Sequence, residues 1–326
     1  MSRFRRTARI ARLGCLLALL AGCSSVNGPV DLASGLRVNA PRPDDVKVGA
    51  DALASVNSSK ETSCGDPTAS LPASNDASGA TLQEVRKYGK LRVGVDNNTY
   101  LFGFRDPKSG QLQGFDIDIA HDMAQAILGD PNKVEFKEID SAQRVTALAR
   151  NDVDMVVRTM SITCARLAKV SFSTTYFVSH QRLLVASDSL ANGLADLGGK
   201  RVCATAGSTS LQTIASTPSH PIPVSVANWS DCLVMLQQHQ VAGVSTDDTI
   251  LAGMEAQDPN TKIVGPSLAT ENYGIAMRKD APDLVKYVNG ALDAVRKDGR
   301  WRSSYQKWIG SRLGPVPSAP APHYKG

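Results

Sequence analysis

Between residues 80 and 310 the apolar positions follow two periods. A spacing of three and four marks helices. In 116–128, Ile117, Ile119, Ala120, Met123, Ala124 and Ile127 share one face, and the run stops at Gly129-Asp-Pro. The same reasoning predicts helices over 81–88, 141–150 with Ser141 as candidate cap, 206–215, 231–240, onward from Thr249, 282–297 and 299–309. Short apolar or alternating runs predict strands at 91–95, 133–139, 153–157, 182–186, 223–227, 241–245, 262–264 and 273–277, with a turn and strand inside 194–204. Strands alternating with helices imply parallel pairing through right-handed crossovers. The order passes through two similar cycles and then returns late, which suggests two lobes joined by a hinge. One continuous sheet is the alternative that the pattern leaves open.

The strand at 153–157 carries one charge, Asp154, and its carboxyl end should open into a crevice, where α/β sheets bind ligands. Arg158-Thr-Met-Ser-Ile-Thr-Cys-Ala-Arg166 follows at once and packs hydroxyls and two guanidiniums into nine residues. That is an anion-binding set, because the parallel N–H donors of arginine match the two oxygens of a carboxylate. A surface arginine held by a neighbouring acid is the plainer reading. Gly207-Ser-Thr at a predicted helix start adds backbone N–H groups and the positive end of a helix dipole.

The flanks differ from this core. Arg3, Arg5, Arg6, Arg9 and Arg12 precede the apolar run 13–20, and Leu20-Ala-Gly-Cys23 follows. This has the three-part form of a secretory signal and is too short to span a bilayer. Leu-Ala-Gly-Cys resembles the lipobox of bacterial lipoproteins, so residues 1–22 are read as a signal peptide and Cys23 as the lipidated mature N-terminus. The chain would then stand at the outer face of the cytoplasmic membrane. Residues 24–79 are rich in Ser, Ala, Asn, Asp and Pro and read as a flexible tether, long enough to reach roughly 40 Å. Residues 313–326, rich in proline, read as a flexible tail.

Removing the signal changes the charge. The chain holds 36 Lys and Arg against 31 Asp and Glu, and taking away the five signal arginines leaves 31 against 31. A nucleic-acid binder should retain a basic excess, so that class is set aside.

Gly94-Val-Asp96, Gly114-Phe-Asp-Ile-Asp, Ser161-Ile-Thr with Arg166, Val170-Ser-Phe-Ser-Thr-Thr-Tyr, Leu197-Gly-Gly-Lys-Arg-Val, Ala206-Gly-Ser-Thr-Ser, Tyr273-Gly-Ile-Ala and Asp298-Gly-Arg-Trp with Tyr305-Gln-Lys-Trp stand in this order. As an ordered set, over about 82–310, they resemble the extracellular solute-binding proteins of family 3, the polar-amino-acid receptors of ABC importers. Thr246-Asp-Asp-Thr-Ile-Leu-Ala-Gly and the lipobox look most like the actinobacterial glutamate- or glutamine-binding lipoproteins. The resemblance implies a two-lobed periplasmic-binding-protein fold of α/β class with a two-stranded hinge and a cleft between lobes. Lobe 1 would comprise 80–181 and, after a hinge return, 271–312; lobe 2 would comprise 182–270.

Carried over position by position, the resemblance implies that Arg166 pairs with the α-carboxylate of an amino acid, helped by Ser208 and Thr209. Asp247 would receive the α-ammonium, with Asp248 as a substitute, and Thr159 and Ser161 would lend oxygens. Asp96, Tyr100 and Phe104 would also face the ligand. Arg158 stands where the family has a small residue in the side-chain pocket. A guanidinium there would favour a side-chain carboxylate or carbonyl and repel Lys or Arg. The expected ligand is therefore glutamate, aspartate, glutamine or asparagine. Arg105 and Arg182 are alternative side-chain partners.

Beyond the signal and Cys23, Cys64, Cys164, Cys203 and Cys232 remain, an even number in an oxidising compartment, and four cysteines allow three pairings. Cys203 on a strand and Cys232 on a helix of one lobe are expected partners, leaving Cys64 for Cys164. A metal site is not expected: Cys-x-x-C is absent and the histidines are scattered. No cofactor is implied. Ala-Gly-Ser208-Thr-Ser lacks the second glycine and the histidine partner of a hydrolase nucleophile elbow. The expectation is a monomeric, non-enzymatic receptor that delivers its ligand to a membrane permease by lobe closure. A sensor whose closed form signals to a membrane partner is the alternative. An enzyme on the same fold is a more distant one.

Overall fold

The computed structural model describes residues 41–55 and 63–326. The signal segment, Cys23 and the tether stretches 24–40 and 56–62 lie outside the described residues. In lobe 1 the strands run in the order Val134–Glu138, Leu91–Val95, Met155–Val156, Ala276–Arg278, Val170–Phe172. The face predicted for 116–128 is the one that packs: Ile117, Ile119, Ala120, Met123, Ala124 and Ile127 of the helix Phe115–Leu128 are all buried. They join Val93, Leu284, Val288 and Trp301 in one cluster, while Ile139, Leu148, Met160 and Phe172 form a second cluster.

In lobe 2, Ile222–Val226, Arg201–Thr205 and Gly243–Asp247 pair in parallel. Phe177–Ala186 and Thr261–Tyr273 complete that sheet, both antiparallel. The core around Val202, Leu211, Val224, Trp229 and Leu251 is separate from those of lobe 1.

These last two strands, 10 and 13 residues long, form the hinge. Tyr273 pairs with Phe177 at one end and Thr261 with Ala186 at the other, with a register shift between Val264 and Ala269. At the lobe 1 end Phe177 and Tyr273 stack at 5.9 Å in that lobe's core, and at the other end Leu183 and Leu184 sit in the core of lobe 2. A chain that comes back through a hinge enters its sheet in the reverse direction. Hence Ala276–Arg278 and the hinge strands are antiparallel, where alternation alone implied parallel pairing throughout.

Residues 24–79 and 313–326 read as coil, and the structure corrects this for the described part. Lys47–Val48 adds an antiparallel strand to the sheet edge at Ile222–Val226, and Ala52 is buried with Val48 and Leu53 on the lobe 2 core. Farther on, Cys64 is bonded to Cys164, Ser70 Oγ donates to the Phe172 carbonyl at 2.7 Å, and Asn289 Nδ2 donates to the Leu71 carbonyl at 2.7 Å. Tyr324 bridges to Ser70, and Leu313, Val316 and Ala319 pack on lobe 1. A polar segment needs few apolar residues to dock when an unpaired strand edge supplies the backbone partners. The second expected disulfide, Cys203–Cys232, is also present.

Candidate functional site

The lobes face each other over a small pocket lined by Ser141, Arg144, Thr159, Ser161 and Arg166 of lobe 1 and Ser208, Thr209, Ser210, Trp229, Thr246, Asp247 and Ile250 of lobe 2. The enclosed space is about 10 Å³, no more than one water. An amino acid therefore enters only when the lobes part.

Arg166 sits on the short helix Cys164–Leu167, whose start is fixed by Thr163: its side chain accepts from the Arg166 N–H. The guanidinium donates to the Ser161 carbonyl at 2.6 Å and, across the cleft, to the Gly207 carbonyl at 3.1 Å. Burial lowers its pKa, opposed by the charges of Glu271 and Asp247. Opposite lies the helix Thr209–Ser216. Ser208 caps it, accepting from Leu211 N at 3.2 Å and donating to the Thr205 carbonyl at 2.7 Å. The N–H groups of Thr209 and Ser210, in the first turn, have no intrahelical acceptor, and such a helix start suits an anion. Gly207 has φ +73°, and a Cβ there would stand 2.9 Å from Ala142 Cα of the other lobe, so the approach requires glycine.

Asp247 ends the strand Gly243–Asp247. Its Oδ2 accepts from the Tyr273 hydroxyl, while its Oδ1 is buried with no hydrogen-bond partner. Burial, and then the charge of Glu271, pushes its pKa well above the carboxylate range. Asp248 turns to the hinge instead, accepting from Ser179 Oγ at 2.5 Å and His180 N at 3.2 Å. Thr159, at φ +37°, is in the sparsely populated left-handed region and is held by its N–H on Asp116 at 2.9 Å. Its Oγ1 is buried without a partner. Strain of this kind gathers at binding sites.

Four of the residues expected around the ligand are elsewhere. Arg158 is fully buried and Asp96 is 2% exposed; they form an ion pair with each other at 2.7 Å. Arg158 also donates to the Ile139 carbonyl at 2.7 Å and to Ser141 Oγ at 2.6 Å, so each of its three guanidinium nitrogens is engaged inside lobe 1. Ser141 is thus occupied as an acceptor, and the helix starts at Arg144 with Gln143 as its cap position. Tyr100 and Phe104, edge to face at 4.8 Å, line a separate outer groove with Trp308 and Gln257. Arg105 pairs with Glu138, and Arg182 donates to the Gly265 carbonyl at 2.9 Å.

In place of Arg158 the structure brings in Arg144. Buried, it donates to the Ser141 carbonyl at 2.9 Å and, at longer range, to the carbonyls of Arg158 at 3.3 Å and of Thr159 and Gly207, both at 3.4 Å. Burial depresses its pKa far below the usual value, and the charges of Arg166 and Arg158 add to this. The signal was present: Arg144 shares the buried face of its helix with Ala147 and Leu148, a charge at a core position. Trp229, the lining aromatic, falls outside the predicted helix, which the apolar spacing begins at Asp231. The helix starts at Trp229, behind a capping box of Asn228 and Asp231.

Comparison with known proteins agrees with this geometry. Residues 91–311 match the bacterial extracellular solute-binding proteins, family 3. The glutamine-binding protein of a Bacillus subtilis ABC transporter is 37% identical over 76% of this chain and 90% of its own length. A glutamate-binding protein of Corynebacterium glutamicum is 30% identical over 82% of this chain and 89% of its own. The solved structure of an ancestral arginine-binding protein bound to glutamine is 37% identical, with a TM-score of 0.65 over 68% of this chain and 98% of that one. With two lobes, a two-stranded hinge and a polar cleft, the chain belongs to the bacterial extracellular solute-binding proteins of family 3.

Proposed function

We propose that the protein binds one acidic or amide amino acid between its lobes and delivers it to an ABC importer. The α-carboxylate lies on Arg166 and the N–H groups of Thr209 and Ser210, and the α-ammonium on the free oxygen of Asp247. The ligand side chain ends on Arg144, which takes the part expected of Arg158. The observation that carries this reading is the lining charge: two guanidiniums, held mainly on backbone carbonyls, against one carboxylate. Glu271 is buried close enough to act on Arg166 and Asp247 but does not line the pocket. A zwitterion satisfies Arg166 and Asp247 and leaves Arg144, so glutamate or aspartate is favoured and an amide comes second. A cationic side chain meets an unpaired like charge, which is costly in a closed cleft. Relatives named for glutamine and glutamate binding support the same class.

The lining offers a carboxylate clamp and an ammonium acceptor, and no nucleophile held by a base; the reading is of a receptor that releases its ligand unchanged. Leu20-Ala-Gly-Cys23 supports a lipid on Cys23, and the family supports a place outside the cytoplasm; together they suggest the outer face of the cytoplasmic membrane. The test is a thermal-shift screen of the twenty amino acids, followed by product analysis. Stabilisation by glutamate, aspartate, glutamine or asparagine with the ligand recovered intact supports the proposal. Stabilisation by lysine or arginine alone, or chemical conversion of the ligand, overturns it.

A further inference from the structure

Arg158 and Asp96 do not touch the pocket, yet their pairing has an outlet there. Asp96 spends its acceptors on the turn that follows it. Oδ1 accepts from Asn97 N at 2.8 Å, Asn98 N at 3.2 Å and Asn98 Nδ2 at 2.8 Å, and Oδ2 accepts from Thr99 Oγ1 at 2.6 Å. The carboxylate is itself fixed by Arg158 at 2.7 Å. So anchored, Asn98 faces the other lobe. Its Nδ2 donates to Asn228 Oδ1 at 3.0 Å, and its Oδ1 accepts from Trp229 N at 3.2 Å. The amide orientation follows from its partners, since Trp229 N can only donate and the Asp96 carboxylate can only accept.

Trp229 N is the first N–H of the helix Trp229–Gln237, a donor that no intrahelical carbonyl can reach. Asn98 supplies the missing acceptor from the opposite lobe. Trp229 is also the aromatic lining residue of the pocket, so the helix start that Asn98 grips carries a wall of the site.

We propose that Asn98 is a positioning residue: a catch that engages the start of the helix Trp229–Gln237 across the cleft whenever the lobes are shut, with ligand or without it, and so holds a share of the ligand-free protein closed, with the buried Arg158–Asp96 pair as its anchorage. It makes no contact with the ligand. It therefore sets how long the closed form lasts and leaves the choice of ligand to Arg144 and Asp247. The role of the catch in ligand retention rests on the amino-acid reading above; the catch itself does not.

Two measurements separate them. Stopped-flow binding of glutamate to Asn98→Ala should show dissociation about tenfold faster, from the loss of two neutral hydrogen bonds, with association and the ranking of amino acids unchanged. Asn98→Asp keeps the shape but puts a carboxylate against Asp96 and Asn228 Oδ1, and should dissociate faster still. Dissociation within twofold of the parent in both variants, or a changed ranking, overturns the catch. Amide hydrogen exchange on the ligand-free protein needs no ligand. The Trp229 amide should exchange faster in Asn98→Ala than in the parent, while the rest of the helix keeps its protection. Equal rates contradict the catch; failure of the parent to bind any amino acid, with unequal rates, removes the amino-acid reading and leaves the catch standing.

Discussion

Arg144 and Arg166 converge on one oxygen: the Nη2 atoms of both lie on the Gly207 carbonyl, at 3.4 and 3.1 Å. Arginine does not give up its proton in a protein; burial lowers the pKa of both side chains, and for Arg144 the charges of Arg166 and Arg158 lower it further, so both are cations held out of water. On the proposed reading, a dicarboxylic ligand would relieve both, one carboxylate to each guanidinium.

Arg166→Ala removes the fork proposed for the α-carboxylate, the group every amino acid shares. All ligands should weaken by about 3 kcal/mol or more, from two lost charge-assisted bonds. Calorimetric titration with glutamate and glutamine checks this, and survival of binding within a few-fold would place the α-carboxylate elsewhere.

Arg144→Met keeps the volume of the side chain and removes its charge. Glutamate should lose at least tenfold more affinity than glutamine, from a charge-assisted bond of about 1.5–3 kcal/mol. Competition between the two ligands reads the ratio directly. An unchanged ratio would take Arg144 out of the side-chain pocket.

Asp247 gives binding a pH dependence with a definite sign. Burial raises its pKa in the unliganded cleft, whereas an ammonium at the free oxygen favours the ionised form. Binding should release protons, and affinity should fall as pH drops through the raised pKa. Titrations in two buffers of different ionisation enthalpy count the protons; zero release, with a constant Kd between about pH 5 and 8, would remove the ammonium from Asp247.

Asp116 places a different dependence on the fold. Burial pushes its carboxyl up to about 7 from the ordinary 3.8, against the hydrogen bonds it accepts from the Tyr176 hydroxyl at 2.7 Å and from Thr159 N, which favour the ionised form. The folded chain keeps a proton that the unfolded chain loses, so its contribution is fully present below 3.8 and is lost as pH rises towards 7. The loss is at most roughly 4 kcal/mol. Denaturant unfolding at about pH 5 and 8 should show the decline, and Asp116→Asn, which cannot titrate, should flatten it. An equal slope in both proteins would assign the dependence to other groups.

The fold was largely legible because it rests on periodicity: the apolar face of 116–128 and the two cycles of strand and helix are properties of neighbours in the chain. The reversed strands were not, since direction in a sheet depends on where the chain has travelled in between. The same division holds in the site. Arg166, Ser208 and Asp247, taken from the resemblance, sit on or at the ends of short local elements and line one pocket. Arg158 could not be placed from its neighbours, because the acid that captures it, Asp96, lies 62 positions earlier, and only the folded interior brings them to 2.7 Å. Arg144 was hidden by the reverse fault: a charge on an apolar helix face reads as an exposed edge until the lobe opposite is seen to cover it. Val48 and Leu53 similarly gave too little apolar surface to mark a docked segment, and their partner is a strand edge nearly 180 residues away.

The most direct test of the account is calorimetric titration of the mature protein with L-glutamate, with L-glutamine and L-arginine alongside. The geometry predicts one site per chain and micromolar or tighter binding of glutamate, weaker binding of glutamine, and none of arginine. Arginine binding more tightly than glutamate would contradict the central claim that two guanidiniums held on backbone carbonyls, against one carboxylate, select an acidic amino acid.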